Sequence, residues 1–211
     1  MIIEKDFLEE AVELLVKKYK CEAVILYGSR ARGDATSKSD YDLMGIRKSG
    51  KKFRLAEKWN GSYLDVFIFP EKEILKVNEN FLYMRGAKII FEKGNVGSLF
   101  IKKLSKALKK KYIPLPDDEI TASRVWLHKM FERVELGDIE GNYRRSWLHE
   151  ALLADYFNIR KKRYWGSKES FVWLKENDKK IYNLFQKTLA NSTDLKLLKK
   201  LVVHVSELKT I

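Results

Sequence analysis

The sequence predicts an α+β domain over residues 1–114, followed by an all-α helical bundle over residues 115–211. Three observations carry this reading. Strand-like apolar runs alternate with helical patterning only as far as residue 91, apolar spacing is helical from Leu99 onward, and Pro114 and Pro116 fall between two helical stretches.

The elements follow in order. Over residues 7–20, Leu8, Ala11, Val12, Leu15 and Tyr19 recur at helical spacing. Glu9, Glu10 and Glu13 precede Lys17, Lys18 and Lys20, the order that the helix dipole favours. Residues 23–27 (AVILY) form a short apolar run ending at Gly28, as a buried strand feeding a turn would, and residues 41–46 give a second strand. Residues 53–59 and 63–69 flank Asn60-Gly61, a pair suited to the two positive-φ positions of a type I′ hairpin turn. Residues 87–91 (AKIIF) supply the last strand. Beyond it, Ile101, Leu104 and Leu108 share a helix face whose other side is lysine, read first as a solvated surface. Helices are expected over 120–136, 139–160, 170–176, 179–189 and 195–208, with Trp126, Trp147 and Trp173 on their core-facing sides.

Composition narrows the function. With 211 residues, 45% of them hydrophobic, the chain can bury a core, which excludes a disordered polyelectrolyte. The single Cys21 excludes a disulfide framework or a zinc site built from several thiolates and favours the cytoplasm. The acidic start does not read as a signal peptide, and no stretch approaches the ~20 apolar residues of a membrane span. A net charge of +13 points to a phosphate-bearing partner. The excess lies mainly in residues 1–114, which hold 24 cations against 15 acids.

The chemistry concentrates in one segment. Gly28-Ser29-Arg30-Ala31-Arg32-Gly33 follows the first strand, and Asp40 and Asp42 open the second. Alternate strand residues share a face, so both carboxylates point one way while Tyr41 and Leu43 turn to the core. Two acids so close repel unless a cation sits between them, and Mg²⁺ is the hard, oxygen-seeking ion suited to that place. Asp65, an acid between Leu64 and Val66 in a strand, would complete a three-acid cluster if it lies beside this pair. Such clusters hold two metal ions for phosphoryl or nucleotidyl displacement. Gly28 would admit a triphosphate close to the backbone, Ser29 and Ser39 would donate hydroxyls, and Arg32 with Arg30 would neutralise the leaving pyrophosphate. Asp34 is read as a loop former.

The run YGSRARGDATSKSDYDL, followed by LDVFIF, resembles the nucleotidyltransferase superfamily with the DNA polymerase β-like palm. Tyr27, Gly28, Ser29, Asp40, Tyr41, Asp42, Leu43 and Asp65 fit its pattern. The style is that of the small stand-alone enzymes, and a following helical domain is similar to that of the aminoglycoside (kanamycin-type) nucleotidyltransferases. The direct Asn-Gly hairpin departs from the many relatives that insert a helix there.

The resemblance implies a palm-like catalytic domain, two Mg²⁺ ions held by Asp40, Asp42 and Asp65, and ATP or another NTP as donor. NMP would pass to a hydroxyl or phosphate of a small-molecule acceptor, with release of pyrophosphate. It also suggests Glu150 as a general base on the acceptor side, although a solvated helix Glu is the commoner fate. Lys168, in the aromatic segment of residues 163–168, could reach a phosphate. The alternatives are AMP transfer to a partner protein, as in antitoxin-like relatives, and a non-catalytic RNA- or nucleotide-binding protein. Nucleic acid is the weaker partner, no membrane partner is expected, and a homodimer stays open.

Overall fold

The computed structural model describes residues 2–207; Leu208, the expected end of the last helix, lies outside them. The chain divides into two compact units, Met1–Lys110 and Lys111–Ile211.

The first unit runs α1 (Ile2–Lys17), β1 (Cys21–Tyr27), α2 (Gly28–Arg32), β2 (Tyr41–Arg47), β3 (Phe53–Trp59), β4 (Ser62–Pro70), α3 (Glu71–Ile74), a 3-10 turn (Glu79–Met84), β5 (Lys88–Glu92) and α4 (Val96–Leu108). Its five strands form one sheet in the order β3-β4-β2-β1-β5. β2 and β4 pair in parallel and the other neighbours are antiparallel, so the sheet is mixed, as an α+β domain requires.

Alternation along the strands fills two cores. Val24, Leu26, Tyr41, Leu43, Leu64, Val66 and Ile68 pack on Phe7, Ala11 and Leu15 of α1. The intervening residues Ala23, Ile25, Met44, Ile46 and Phe69 pack on Ile74, Phe81, Leu82, Met84, Phe100 and Leu104. Covering both faces explains the unbroken apolar runs of β1 and β2, whereas the edge strand β3 keeps exposed Arg54, Glu57 and Lys58. The hairpin turn has positive φ at Asn60 and Gly61, the type I′ conformation, and sets Trp59 opposite Ser62 and Phe53 opposite Ile68. Cys21 is buried, and burial pushes its thiol up to about 11.

The second unit consists of α5 (Asp117–Glu135), α6 (Ile139–Ile159), α7 (Ser167–Asn177), α8 (Lys179–Ala190) and α9 (Leu195–Ser206). Leu127, Met130, Phe131, Leu148, Leu152, Leu174, Phe185, Leu198 and Leu201 form the centre of its core. Asp138, Asp178 and Asp194 cap the starts of α6, α8 and α9 by accepting bonds from first-turn amides. Among the described residues no helix is long and apolar enough to cross a membrane.

Trp126 and Trp173 pack against this core as expected, but Trp147 does not. It is 54% exposed and continues an outward stripe with Ile139 and Tyr143 at four-residue spacing, while its neighbour Leu148 takes the core side. Helical spacing alone could not tell which of two adjacent apolar stripes faces inward.

Arg160, just beyond α6, is a second feature that periodicity did not announce. Its guanidinium donates to the carbonyls of Tyr156, His204, Val205 and Glu207, neutralising the C-terminal end of α9, and it stacks 4.0 Å from the Tyr156 ring. Arg160→Met keeps the stem but leaves those carbonyls without donors. It is expected to cost about 2–3 kcal/mol in a guanidinium unfolding titration, whereas Arg163→Met, beside the Tyr112 and Trp165 rings, costs under about 1 kcal/mol.

Candidate active site

The site forms at the end of the sheet where β1 finishes and β2 begins. Tyr27 closes β1 opposite Asp42, and on the other side of β2 the parallel pairing sets Asp42 level with Asp65 of β4. Asp42 and Asp65 therefore occupy one rung, with side chains on the same face. Asp40 lies immediately before β2 and is solvent-exposed.

Gly28 starts α2 with φ +70°, a left-handed conformation suited to glycine. A Cβ on Gly28 would stand 2.0 Å from Asp42 Oδ2, so the missing side chain is the space that the carboxylate occupies. Ser29 is buried behind it.

The electrostatics are those of acids held together. Asp42 is pushed up to about 6, first by burial and then by the charges of Asp40 and Asp65, with Arg32 and Arg54 opposing. Burial, helped by the Asp42 and Asp65 charges, also raises the hydroxyls of Tyr27 and Tyr83, whose rings meet edge to face at 5.5 Å.

The loop residues divide by role. Arg30 donates to the carbonyls of Ser39 and Asp40 and lies 3.7 Å from the Tyr41 ring, so it anchors the segment that delivers the acids. Ser39 Oγ accepts from the Thr36 amide within the same turn. Arg32 pairs with Asp34 at 3.5 Å while its charge reaches Asp42, and Asp34 thus helps to shape the loop.

Sequence reasoning missed Arg54. From β3 it forms a two-pronged bond to Asp65, Nε to Oδ1 at 2.7 Å and Nη2 to Oδ2 at 2.6 Å. The signal was present: a two-residue turn at Asn60-Gly61 pairs Ala56 with Asp65 and sets Arg54 diagonally across from it, on the same face.

This arrangement bears on the metal expectation. Asp40 and Asp42 fit a hard divalent cation, because burial and then the Asp40 charge raise Asp42 and a cation would offset both. Asp65 already has both oxygens on a guanidinium, and among the described residues no three His, Cys, Asp or Glu side chains are grouped to hold a metal ion.

Glu150 and Lys168 belong to the second unit. Glu150 is exposed on α6, where its charge reaches the Tyr164 hydroxyl, and Lys168 is exposed in the first turn of α7.

A mixed sheet, a Gly-Ser turn and acids sharing a rung of adjacent strands meet at this end of the first unit. Residues 9–96 match the family model described as polymerase beta, nucleotidyltransferase, so the first unit carries a domain of the nucleotidyltransferase superfamily. None of the curated proteins matches the chain. Among solved structures, the chain is similar to a nucleotidyltransferase-like protein from Exiguobacterium sibiricum 255-15. The two are 15% identical over 94% of this chain and 74% of that one, with a TM-score of 0.44.

Proposed function

We propose that the protein is a Mg²⁺-dependent nucleotidyltransferase of the cytoplasm that moves NMP, with ATP the expected donor, to a hydroxyl or phosphate of a small-molecule acceptor. The observation that carries this reading is the shared rung of Asp42 and Asp65, with the Asp42 carboxylate seated in the space left by Gly28.

Asp40 and Asp42 would hold divalent metal, which when bound neutralises charge on the reacting phosphate oxygens. Gly28 and Ser29 line the approach for the triphosphate, with Ser39 shaping the loop beside it. Arg32 faces the same acids and supplies positive charge for the leaving pyrophosphate. The acceptor oxygen forms a bond to the α-phosphorus as the bond from that phosphorus to the bridging oxygen breaks and pyrophosphate departs. Asp65 takes the proton of an acceptor hydroxyl. Arg54 holds its carboxylate in a fixed orientation.

Isothermal titration of a non-hydrolysable ATP analogue tests this reading. Wild type should bind only with Mg²⁺ present, and Asp40→Ala/Asp42→Ala should bind at least about tenfold more weakly. Binding to wild type that ignores both the metal and the double substitution would refute the assignment.

A further inference from the structure

Beside the acids, on the same face of the sheet, the first unit holds a cavity of about 940 Å³ that the proposed transfer has not used. Alternation along β4 links the two places: Phe67 and Phe69 follow Asp65 at two-residue steps and form the cavity floor. The 3-10 turn adds Phe81 and Tyr83, and Tyr83 is the bridge, since its ring touches Tyr27 and its hydroxyl lies within reach of the Asp42 and Asp65 charges. Tyr83 is 46% exposed, so an aromatic surface is open to a ligand.

The rim is cationic. Lys52 Nζ stands 4.5 Å from the Phe69 ring centroid and 5.6 Å from that of Phe67, and Arg54 lies 5.1 Å from Phe67. Lys72 and Lys76 add two more positive charges, against the single acid Glu73. Flat apolar walls under a ring of lysines suit a planar ring that carries negative charge. The rings bury its faces, and the lysines meet its anionic group in a partly desolvated setting. The same lysines repel a polyamine such as an aminoglycoside.

We infer that this cavity is the acceptor site, and that the acceptor is a small planar aromatic or heteroaromatic molecule bearing a phosphate or carboxylate. The inference rests on the nucleotidyltransferase reading, because it takes its direction from Asp65: a ring seated on Phe67 and Tyr83 brings its substituents to the acid assigned as base.

Phenyl phosphate, benzoate, benzyl alcohol and inorganic phosphate serve as probes, with binding read by ligand-observed NMR in the presence and absence of the Mg²⁺–ATP analogue. Phenyl phosphate or benzoate should bind at least about tenfold more tightly than benzyl alcohol or inorganic phosphate, and the stronger of the two anions identifies the charged group. Lys52→Glu/Lys72→Glu should weaken that binding about tenfold while leaving analogue binding within about twofold of wild type, and Tyr83→Ala should likewise weaken probe binding about tenfold. Lys52, Lys72 and Tyr83 lie at the surface, so these variants keep the core intact.

Equal binding of neutral and anionic probes, or binding indifferent to the lysine substitutions, overturns the assignment. So does competition between phenyl phosphate and the analogue, which would make the cavity the donor's base pocket. Absence of probe binding while the analogue still binds sinks the acceptor site and leaves the transferase reading standing. Absence of analogue binding sinks both.

Discussion

Gly28→Ala is expected to lower the turnover of the proposed transfer by at least about 100-fold while leaving the protein folded. Two effects combine. The residue has φ +70°, where an L side chain costs about 1–2 kcal/mol. The new methyl carbon would also fall 2.0 Å from Asp42 Oδ2 and 2.9 Å from its carboxyl carbon, so the carboxylate must rotate away. A side chain can yield where backbone could not, so the displacement falls on the acid rather than on the sheet. Gly33→Ala separates the two effects. Its φ is +88°, but no atom lies within 4 Å of the added carbon, so it carries the backbone cost alone. Pyrophosphate release and Mg²⁺-dependent analogue binding, measured on both variants beside thermal melts, should show Gly28→Ala impaired in function and Gly33→Ala impaired mainly in stability. Equal loss of function in the two would refute the steric account.

Asp42→Asn should stabilise the metal-free protein and abolish nucleotide binding together. The Asp42 carboxyl is raised from 3.8 to about 6 in the folded state. The folded chain therefore holds its proton more tightly than the unfolded chain does. The associated stability is complete below about pH 3.8 and is lost as pH rises through about 6. Asparagine carries no such charge, so the variant should gain on wild type across that window and keep its advantage at pH 7.5. The shift corresponds to about 3 kcal/mol at most. Solvent screening at this half-buried site reduces it to about 1–2 kcal/mol. Melts in EDTA from pH 4 to 8 should show the two curves separating with rising pH. Adding Mg²⁺ and the ATP analogue should raise the wild-type melting temperature and leave that of the variant unchanged. A variant less stable than wild type at pH 7.5 without metal would mean that the acid cluster is not under the strain described.

Much of this was legible in the order of residues. Asn60-Gly61 signalled a hairpin and its register, and alternation along β2 put Tyr41 and Leu43 in the core with Asp42 on the other face, whereas Asp40, expected to open that strand, lies just before it. The helix starts at Ile139, Lys179 and Leu195 fall where apolar spacing put them, and the structure adds the capping aspartates Asp138, Asp178 and Asp194. The parallel pairing of β2 with β4 is a different matter. It needs the hairpin to fold back so that its second strand, not its first, lies beside β2, and sequence neighbours give no preference between the two. Short elements were also invisible. α2, α3 and the 3-10 turn are too brief to display a period, and Tyr83 entered the site through one of them. Trp147 shows the converse limit, where a clear period existed but two apolar stripes competed for one core.

Cys21 gives this chain an experimental convenience. Its sulfur is enclosed and strongly disfavours the thiolate at neutral pH, and the sequence contains no other thiol. Maleimide dyes and spin labels should therefore pass over the natural protein, so that a cysteine introduced at an exposed position such as Tyr63 or Tyr143 becomes the sole point of attachment. A doubly labelled chain carrying one reporter in each unit can then be followed by energy transfer as nucleotide is added, without first engineering away a background signal.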